Sequence, residues 1–315
     1  MEPNRFLSSD GMTQVAYYFF DENIKKPRAI VQIAHGMQEH MQRYADFAKC
    51  LNEQGIVVCG NDHLGHGKTS TGASTDGFFA SKKGAEYVID DLHHMTEIAK
   101  QNYPGIPLFL FGHSMGSFFA RYYAGKYPND ISGLVLCGTS GKVAGTNIAL
   151  ALLQCMKLFK GKKSHSKLAD YLMTNSYYKY IPDPVYKMEW ITSEEKALDK
   201  YLKDERCKIK FTVSAYYDMV NTLKKVNKSS FVKKYNKSLP IFLMAGAQDP
   251  VGQYGKGVCW VYSLFEKQNI QNLDLSLYAN GRHEPFNEKE PIKSRFYQDL
   301  VDWIIYQIDL KNKQK

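Results

Sequence analysis

Between residues 107 and 124 an apolar run, a tight pentapeptide and a helix follow one another with no residue to spare. Pro107-Leu108-Phe109-Leu110-Phe111 reads as a buried strand, and Ser117 to Ala124 reads as a helix. Between them stands Gly112-His113-Ser114-Met115-Gly116, the pattern G-x-S-x-G. Five residues with two free positions recur by chance, but strand, sharp turn and helix together are the setting of a nucleophile elbow. A serine in that turn must sit in a strained conformation with its hydroxyl pushed out beyond the sheet. A side chain two residues to either side would run into neighbouring backbone, so Gly112 and Gly116 occupy those places.

The rest of the chain agrees with a parallel sheet. Arg28 to Ala34 reads as a strand ending at His35-Gly36, and Tyr44, Phe47, Ala48 and Leu51 follow at helical spacing. Gly55 to Gly60 is the next strand, and a longer helix over 84–102 places Val88, Ile89, Leu92 and Met95 on one face. Ile131 to Cys137 is another strand. This alternation implies an α/β fold with helices on both faces of a mostly parallel sheet. It breaks at about residue 142. From there to 237 the text is rich in Lys and Tyr, holds the cluster Tyr177-Tyr178-Lys179-Tyr180, and offers helices near 147–160 and 193–203 but no clear strand. Leu239 to Gly246, a helix over 255–268, the strand Leu273 to Tyr278 and a last helix carrying Phe296, Leu300, Ile304 and Ile308 resume the sheet. The reading is therefore a core over 1–141 and 238–315, interrupted by a helical insertion at 142–237.

Composition narrows the function. The 315 residues carry a net charge of +9, yet only seven of the 41 basic residues are Arg, and the lysines are spread along the chain. Nucleic-acid readers lean on Arg for forked contacts, and no nucleic-acid-binding signature is present, so a nucleic-acid partner is not expected. No run approaches the roughly 18 apolar residues that span a bilayer, and the first residues do not read as a signal peptide. Six cysteines without a C-x-x-C pair suggest reduced, mostly buried thiols in a cytoplasmic protein. Asp62-His63-Leu64-Gly65-His66-Gly67 holds two histidines three apart, but with no third ligand at a useful spacing it reads as a structured turn. No metal, nucleotide or other cofactor is expected. Nothing in the chain fixes an oligomeric state.

A serine hydroxyl needs a base, and the base needs an orienting carboxylate. On an elbow of this kind they follow the serine in the order acid, then histidine, on loops after later strands. Asp249 stands just past the strand ending at Gly246, and His283 just past the strand ending at Tyr278. Asp249 could also be a helix cap and His283 a loop histidine. His93 and His94 fall mid-helix, however, and His165 lies in a basic loop of the insertion. Oxyanion donors are expected from the backbone N–H of Met115 and from that of Met37, in the loop His35-Gly36-Met37 after the first parallel strand.

These residues resemble a known family. His35-Gly36-Met37-Gln38-Glu39-His40 with Arg43-Tyr44 resembles the H-G-x-x-E-H-x-x-R-Y segment of monoacylglycerol lipases and related bacterial lysophospholipases. Asn61 to Gly67 resembles their D-x-x-G-H-G turn, and the elbow, Asp249-Pro250-Val251 and Arg282-His283-Glu284 resemble their corresponding loops. The resemblance covers nearly the whole chain outside 142–237. It implies the α/β-hydrolase fold, a helical cap that lines an acyl tunnel and touches membranes, and hydrolysis of esters of lipids with one acyl chain. Met37-Gln38 stands where many relatives have small residues, so a bulkier oxyanion loop is expected. A general carboxylesterase, another acyl or peptide hydrolase, and a silent ligand-binding protein on the same scaffold remain the alternatives.

Overall fold

The computed structural model describes residues 1–22, 24–174, 177 and 188–313. Its strands are β1 (Asn4–Leu7), β2 (Gln14–Phe20), β3 (Ala29–Ala34), β4 (Ile56–Asn61), β5 (Leu108–His113), β6 (Gly133–Cys137), β7 (Ile241–Gly246) and β8 (Leu273–Tyr278). They form one sheet in the order β1-β2-β4-β3-β5-β6-β7-β8. From β4 to β8 all neighbours are parallel, and β1 and β2 add antiparallel strands at one edge. The sequence reading began the sheet at residue 28. It did not find this hairpin, because Val15 to Phe20 is a continuous apolar and aromatic run without the alternation that marks a strand.

The strand order places the site. The chain leaves β3 for β4 on one side and later returns to β5 on the other, so the loops after β3 and β5 part at a topological switch point. There Ala34 pairs with Gly112. The loop carrying Gly36 and Met37 therefore starts beside the strand that delivers Ser114.

Helices α1 (Ala45–Asn52), α2 (Gly84–Asn102) and α3 (Met115–Lys126) follow β3, β4 and β5 respectively. Between β6 and β7 come α4 (Thr146–Lys160), α5 (Lys167–Thr174), α6 (Glu195–Lys203), α7 (Val213–Val226) and α8 (Ser229–Val232). Lys256–Glu266 forms α9 and Ile292–Lys313 forms α10. Of the tyrosine cluster, only Tyr177 is among the described residues; Tyr178, Lys179 and Tyr180 lie outside them. One sheet face packs on α2, α3 and α9, with α7 layered on α2 and α3, and the other packs on α1 and α10; each bears its own continuous apolar core.

Arg121 holds the α4–α8 segment to the core. It is fully buried in α3 and has no carboxylate partner among the described residues. Its guanidinium donates to the Ser140 carbonyl at 3.1 Å, the Val226 carbonyl at 3.0 Å and Asn227 Oδ1 at 2.7 Å. Asn227 Nδ2 in turn donates to the Gly141 carbonyl at 2.8 Å. One side chain on α3 thus grips the chain where it leaves β6 and where α7 ends. The C-terminal carbonyls of α7 supply partial negative charge that tolerates the cation.

Of the six cysteines, all free, Cys59, Cys137 and Cys207 are buried, Cys50 is half-buried, and Cys155 and Cys259 are exposed. The expectation of mostly buried thiols holds for three of the six.

Candidate active site

Ser114 stands between β5 and α3 with φ +53° and ψ −121°, a conformation that L residues rarely adopt. Its N–H donates to the Cys137 carbonyl at 2.9 Å, and its carbonyl accepts from the Ser117 N–H at 2.9 Å and hydroxyl at 2.6 Å. The elbow is therefore pinned on both sides. A Cβ at Gly116 would collide with the Ala34 carbonyl, and one at Gly112 would lie 2.7 Å from the Gly116 oxygen. Only glycine lets the helix start this close to the sheet.

Asp249 and His283 meet on the loops after β7 and β8. His283 Nδ1 lies 2.9 Å from Asp249 Oδ1, which also accepts from the Val251 N–H at 2.8 Å. Both residues are buried. A carboxylate only accepts, so Nδ1 carries the hydrogen, and Nε2 of the neutral ring is left as a base. Among the described residues that buried nitrogen has no hydrogen-bond partner, and His283 and Ser114 line the same cavity. The cavity holds about 460 Å³.

Met37 and Met115 line it as well. Met115 opens α3, so its N–H is one of those that lack an intrahelical partner. The loop before Met37 is held at Gly36. The Gly36 N–H donates to Glu39 Oε1, and the Gly36 carbonyl accepts from His35 Nδ1 at 2.9 Å. His35 Nε2 accepts from the His63 N–H at 2.9 Å, which fixes the tautomer. A Cβ on Gly36 would lie 3.0 Å from Ser114 Cβ, so the loop rests against Ser114. Gln38, with φ +59°, ties the same loop to the segment before α7 by donating from Nε2 to the Ile209 carbonyl at 2.7 Å.

The turn at 62–67 is built of histidines. His35 and His63 have ring centroids 3.9 Å apart, and His35 and His66 lie at 5.1 Å. His35 is the third histidine that spacing along the chain did not reveal. Burial holds His63 down to about 3 and His66 to about 4, so both are neutral at physiological pH. Backbone groups occupy His63 Nε2 and His66 Nδ1. The three rings brace the loop that carries Gly36 and Met37.

Two groups of ligand-type side chains come together among the described residues: Glu39, His113 and Glu284, and His40, Asp204 and Cys207. An arginine already serves each. Arg43 bonds Glu39 at 2.7 Å and Glu284 at 2.9 and 3.0 Å, and Arg206 bonds Asp204 at 3.3 Å.

The comparisons with known proteins agree with this geometry. The family described as serine aminopeptidase, S33 (Hydrolase_4), matches residues 25–290. The chain belongs to that family. It is similar to the monoglyceride lipase homolog of Monkeypox virus, 26% identical over 288 residues that span 90% of this chain and 92% of that one. The monoglyceride lipase of Mus musculus is 25% identical over 283 residues, 90% of this chain and 84% of that one. Among solved structures, a thermostable carboxyl esterase from Bacillus coagulans in complex with glycerol is 32% identical, covers 98% of both chains and superposes with a TM-score of 0.87. The chain is thus a monoacylglycerol lipase-like α/β-hydrolase and an ester hydrolase.

In this S33-family hydrolase a buried charged network that the motifs alone did not reveal lies under the elbow. Glu39 Oε1 accepts from the Tyr44 hydroxyl at 3.0 Å and pairs with His113 Nδ1 at 2.8 Å. The sequence quoted Glu39, Arg43 and His113 within motifs and gave them no task; the (i, i+4) spacing of Glu39 and Arg43 was the visible signal. Burial alone would raise the Glu39 carboxyl, but the charge and hydrogen bond of His113 and the charge of Arg43 hold it well below the usual range. Burial alone would lower His113, yet Glu39 raises it above the ordinary imidazole value. The signs set a pH window. The depressed Glu39 contributes stability that is present above about pH 4.3 and fades as pH falls towards its folded value. The raised His113 contributes stability that is present below about pH 6.5 and fades as pH rises through its folded value. The melting-temperature difference between wild type and His113→Gln is therefore expected to be largest between those limits and to shrink on either side. A difference independent of pH would contradict the pairing.

Proposed function

We propose that the enzyme hydrolyses esters of lipids carrying one acyl chain, monoacylglycerol or lysophospholipid, through an acyl-enzyme on Ser114. The observation that carries this reading is an apolar cavity ending on a serine beside a buried Asp249–His283 pair. Phe118, Ile148, Ala149, Leu152, Val220 and Leu223 line the cavity with no charge among them and suit an acyl chain, and Arg43, Glu39, Tyr201 and Trp190, which also line it, suit a hydroxylated alcohol. The glycerol in the carboxyl esterase complex and the monoglyceride lipase names of the relatives support the same class.

In this mechanism His283 Nε2 takes the proton of Ser114 as its oxygen attacks the ester carbonyl. Asp249 keeps the ring in the tautomer that allows this and stabilises the imidazolium. The Met37 and Met115 amides hold the oxyanion. His283 then protonates the leaving alcohol, and water releases the acid by the same steps. A panel of esters with matched acyl chains tests the substrate. Monoacyl lipids are expected to exceed diacyl and triacyl lipids in kcat/KM. A preference for short water-soluble esters, with no turnover of monoacyl lipids, would leave only general esterase activity.

The α4–α5 face offers a reason to approach a membrane. Ile148 is 76% exposed, Leu158 72% and Phe159 88%, with Leu168 and Tyr171 also exposed. The basic cluster Lys157, Lys160, Lys162, Lys163 and Lys167 lies beside them. Two of its members are engaged within the protein, Lys157 over the Tyr217 ring and Lys163 over that of Phe78. The apolar side chains are therefore the stronger contact. Changing Leu158, Phe159 and Leu168, none of which lines the ester cavity, together to Ser is expected to reduce co-sedimentation with anionic vesicles by about tenfold or more, while hydrolysis of a short soluble ester is retained. Unchanged sedimentation would remove the membrane role.

A further inference from the structure

Helices α3, α4 and α7 wall two cavities. One set of their side chains, including Phe118, Leu152 and Val220, faces the ester cavity. Another set, with the turn before α2, encloses a second cavity of about 460 Å³ that is polar. Lys82 and Lys83 line it from that turn, Lys157 and Lys162 from the end of α4 and just beyond, and Lys225 from α7. Two carboxylates, Glu86 and Asp218, stand against these five lysines.

The lysines are not neutralised by ion pairs. Among the described residues the lysine pairs are made by Lys68, Lys100, Lys126, Lys200, Lys203 and Lys208, so none of the five belongs to one. Asp218 sits against Gly84, the first residue of α2, where the positive end of the helix balances it. It acts on Lys157 only from beyond ion-pair contact. Tyrosines position two of the inner ammonium groups instead: Lys157 Nζ lies 4.1 Å from the Tyr217 ring centroid, and Lys225 Nζ donates to the Tyr122 hydroxyl, both tyrosines lining the cavity. Lys157, Lys162 and Lys225 are half-buried. Five ammonium groups against two carboxylates in a concavity, partly stripped of water, leave an excess of positive charge whose potential a compact polyanion relieves.

We propose that this cavity binds a ligand carrying clustered phosphate groups, with Lys157, Lys162 and Lys225 as inner contacts and Lys82 and Lys83 at the rim. Lysine is a point charge that binds phosphate without the forked geometry of arginine. The exposed Leu158 also lines the cavity, so the phosphates can come from a membrane lipid headgroup or from a free phosphorylated metabolite.

Calorimetric titration with inositol hexakisphosphate at low salt tests the site. Saturable binding is expected, weakened about tenfold or more in Lys157→Gln/Lys225→Gln and reduced by added salt. Lys82→Gln/Lys83→Gln, in an exposed turn, serves where the inner pair unfolds. Soluble-ester turnover is expected to be unchanged in both variants, because none of these lysines lines the ester cavity; this separates the proposal from the catalytic reading. Phosphatidylcholine vesicles with and without phosphatidylinositol bisphosphate distinguish the sources. Recruitment by the phosphorylated lipid, competed by inositol hexakisphosphate, assigns the headgroup, and soluble binding without recruitment assigns a free metabolite. No saturable binding up to about 1 mM, or equal affinity in wild type and variants, overturns the proposal.

Discussion

Ser114→Ala is expected to lower ester turnover by on the order of 10⁴ to 10⁶ while leaving the melting temperature close to wild type. The size follows from the arrangement around it. Asp249 and His283 act only through a nucleophile, so removing the serine removes the contribution of all three at once. The small effect on folding follows because the elbow is held by backbone groups, the Ser114 N–H on the Cys137 carbonyl and the Ser114 carbonyl on Ser117, and not by the hydroxyl. Alanine keeps both. Turnover within about tenfold of wild type would remove Ser114 from the chemistry.

Arg121→Met is expected to have the largest effect on stability, a loss of on the order of 3 to 5 kcal/mol in denaturant unfolding. Methionine fills much of the same space, so the cost is polar. The Ser140 and Val226 carbonyls and Asn227 Oδ1 lose their donors together, each leaving a buried acceptor unpaired. Arg121→Lys is not expected to rescue it, because a single ammonium cannot reach three acceptors presented to a planar fork. The losses fall where the α4–α8 segment joins the core, so hydrolysis of long-chain esters should suffer more than that of short ones. A loss under about 1 kcal/mol would mean that the clamp is not what holds this segment.

How far the sequence could be read depended on whether a feature is local. The strands from β3 to β8 and helices α2, α3 and α10 emerged at nearly their observed bounds, because each carries its own period and its own turn residues. Ser114 was legible for the same reason. The pairing of Asp249 with His283 was inferred from loop order and the family resemblance of both loops, and their 2.9 Å contact is visible only in the folded chain. Features made by distant partners were not legible. Glu39 meets His113 across 74 residues and Arg43 meets Glu284 across 241, and neither contact leaves a local pattern. Arg121 is the sharper case. Charge within an apolar helix face reads as an exposed position, yet the acceptors that make burial possible lie in segments around residues 140 and 226. The β1–β2 hairpin was missed because Val15 to Phe20 is a continuous apolar and aromatic run without alternation and β1 is only four residues long.

The most direct test of the account is covalent. The enzyme is incubated with a fluorophosphonate, and the intact mass and the modified peptide are read by mass spectrometry. The account predicts one adduct per chain on the peptide containing Ser114, none in Ser114→Ala, and strongly slowed labelling in His283→Ala. No adduct on the wild-type enzyme, or labelling that persists at another residue in Ser114→Ala, would contradict it.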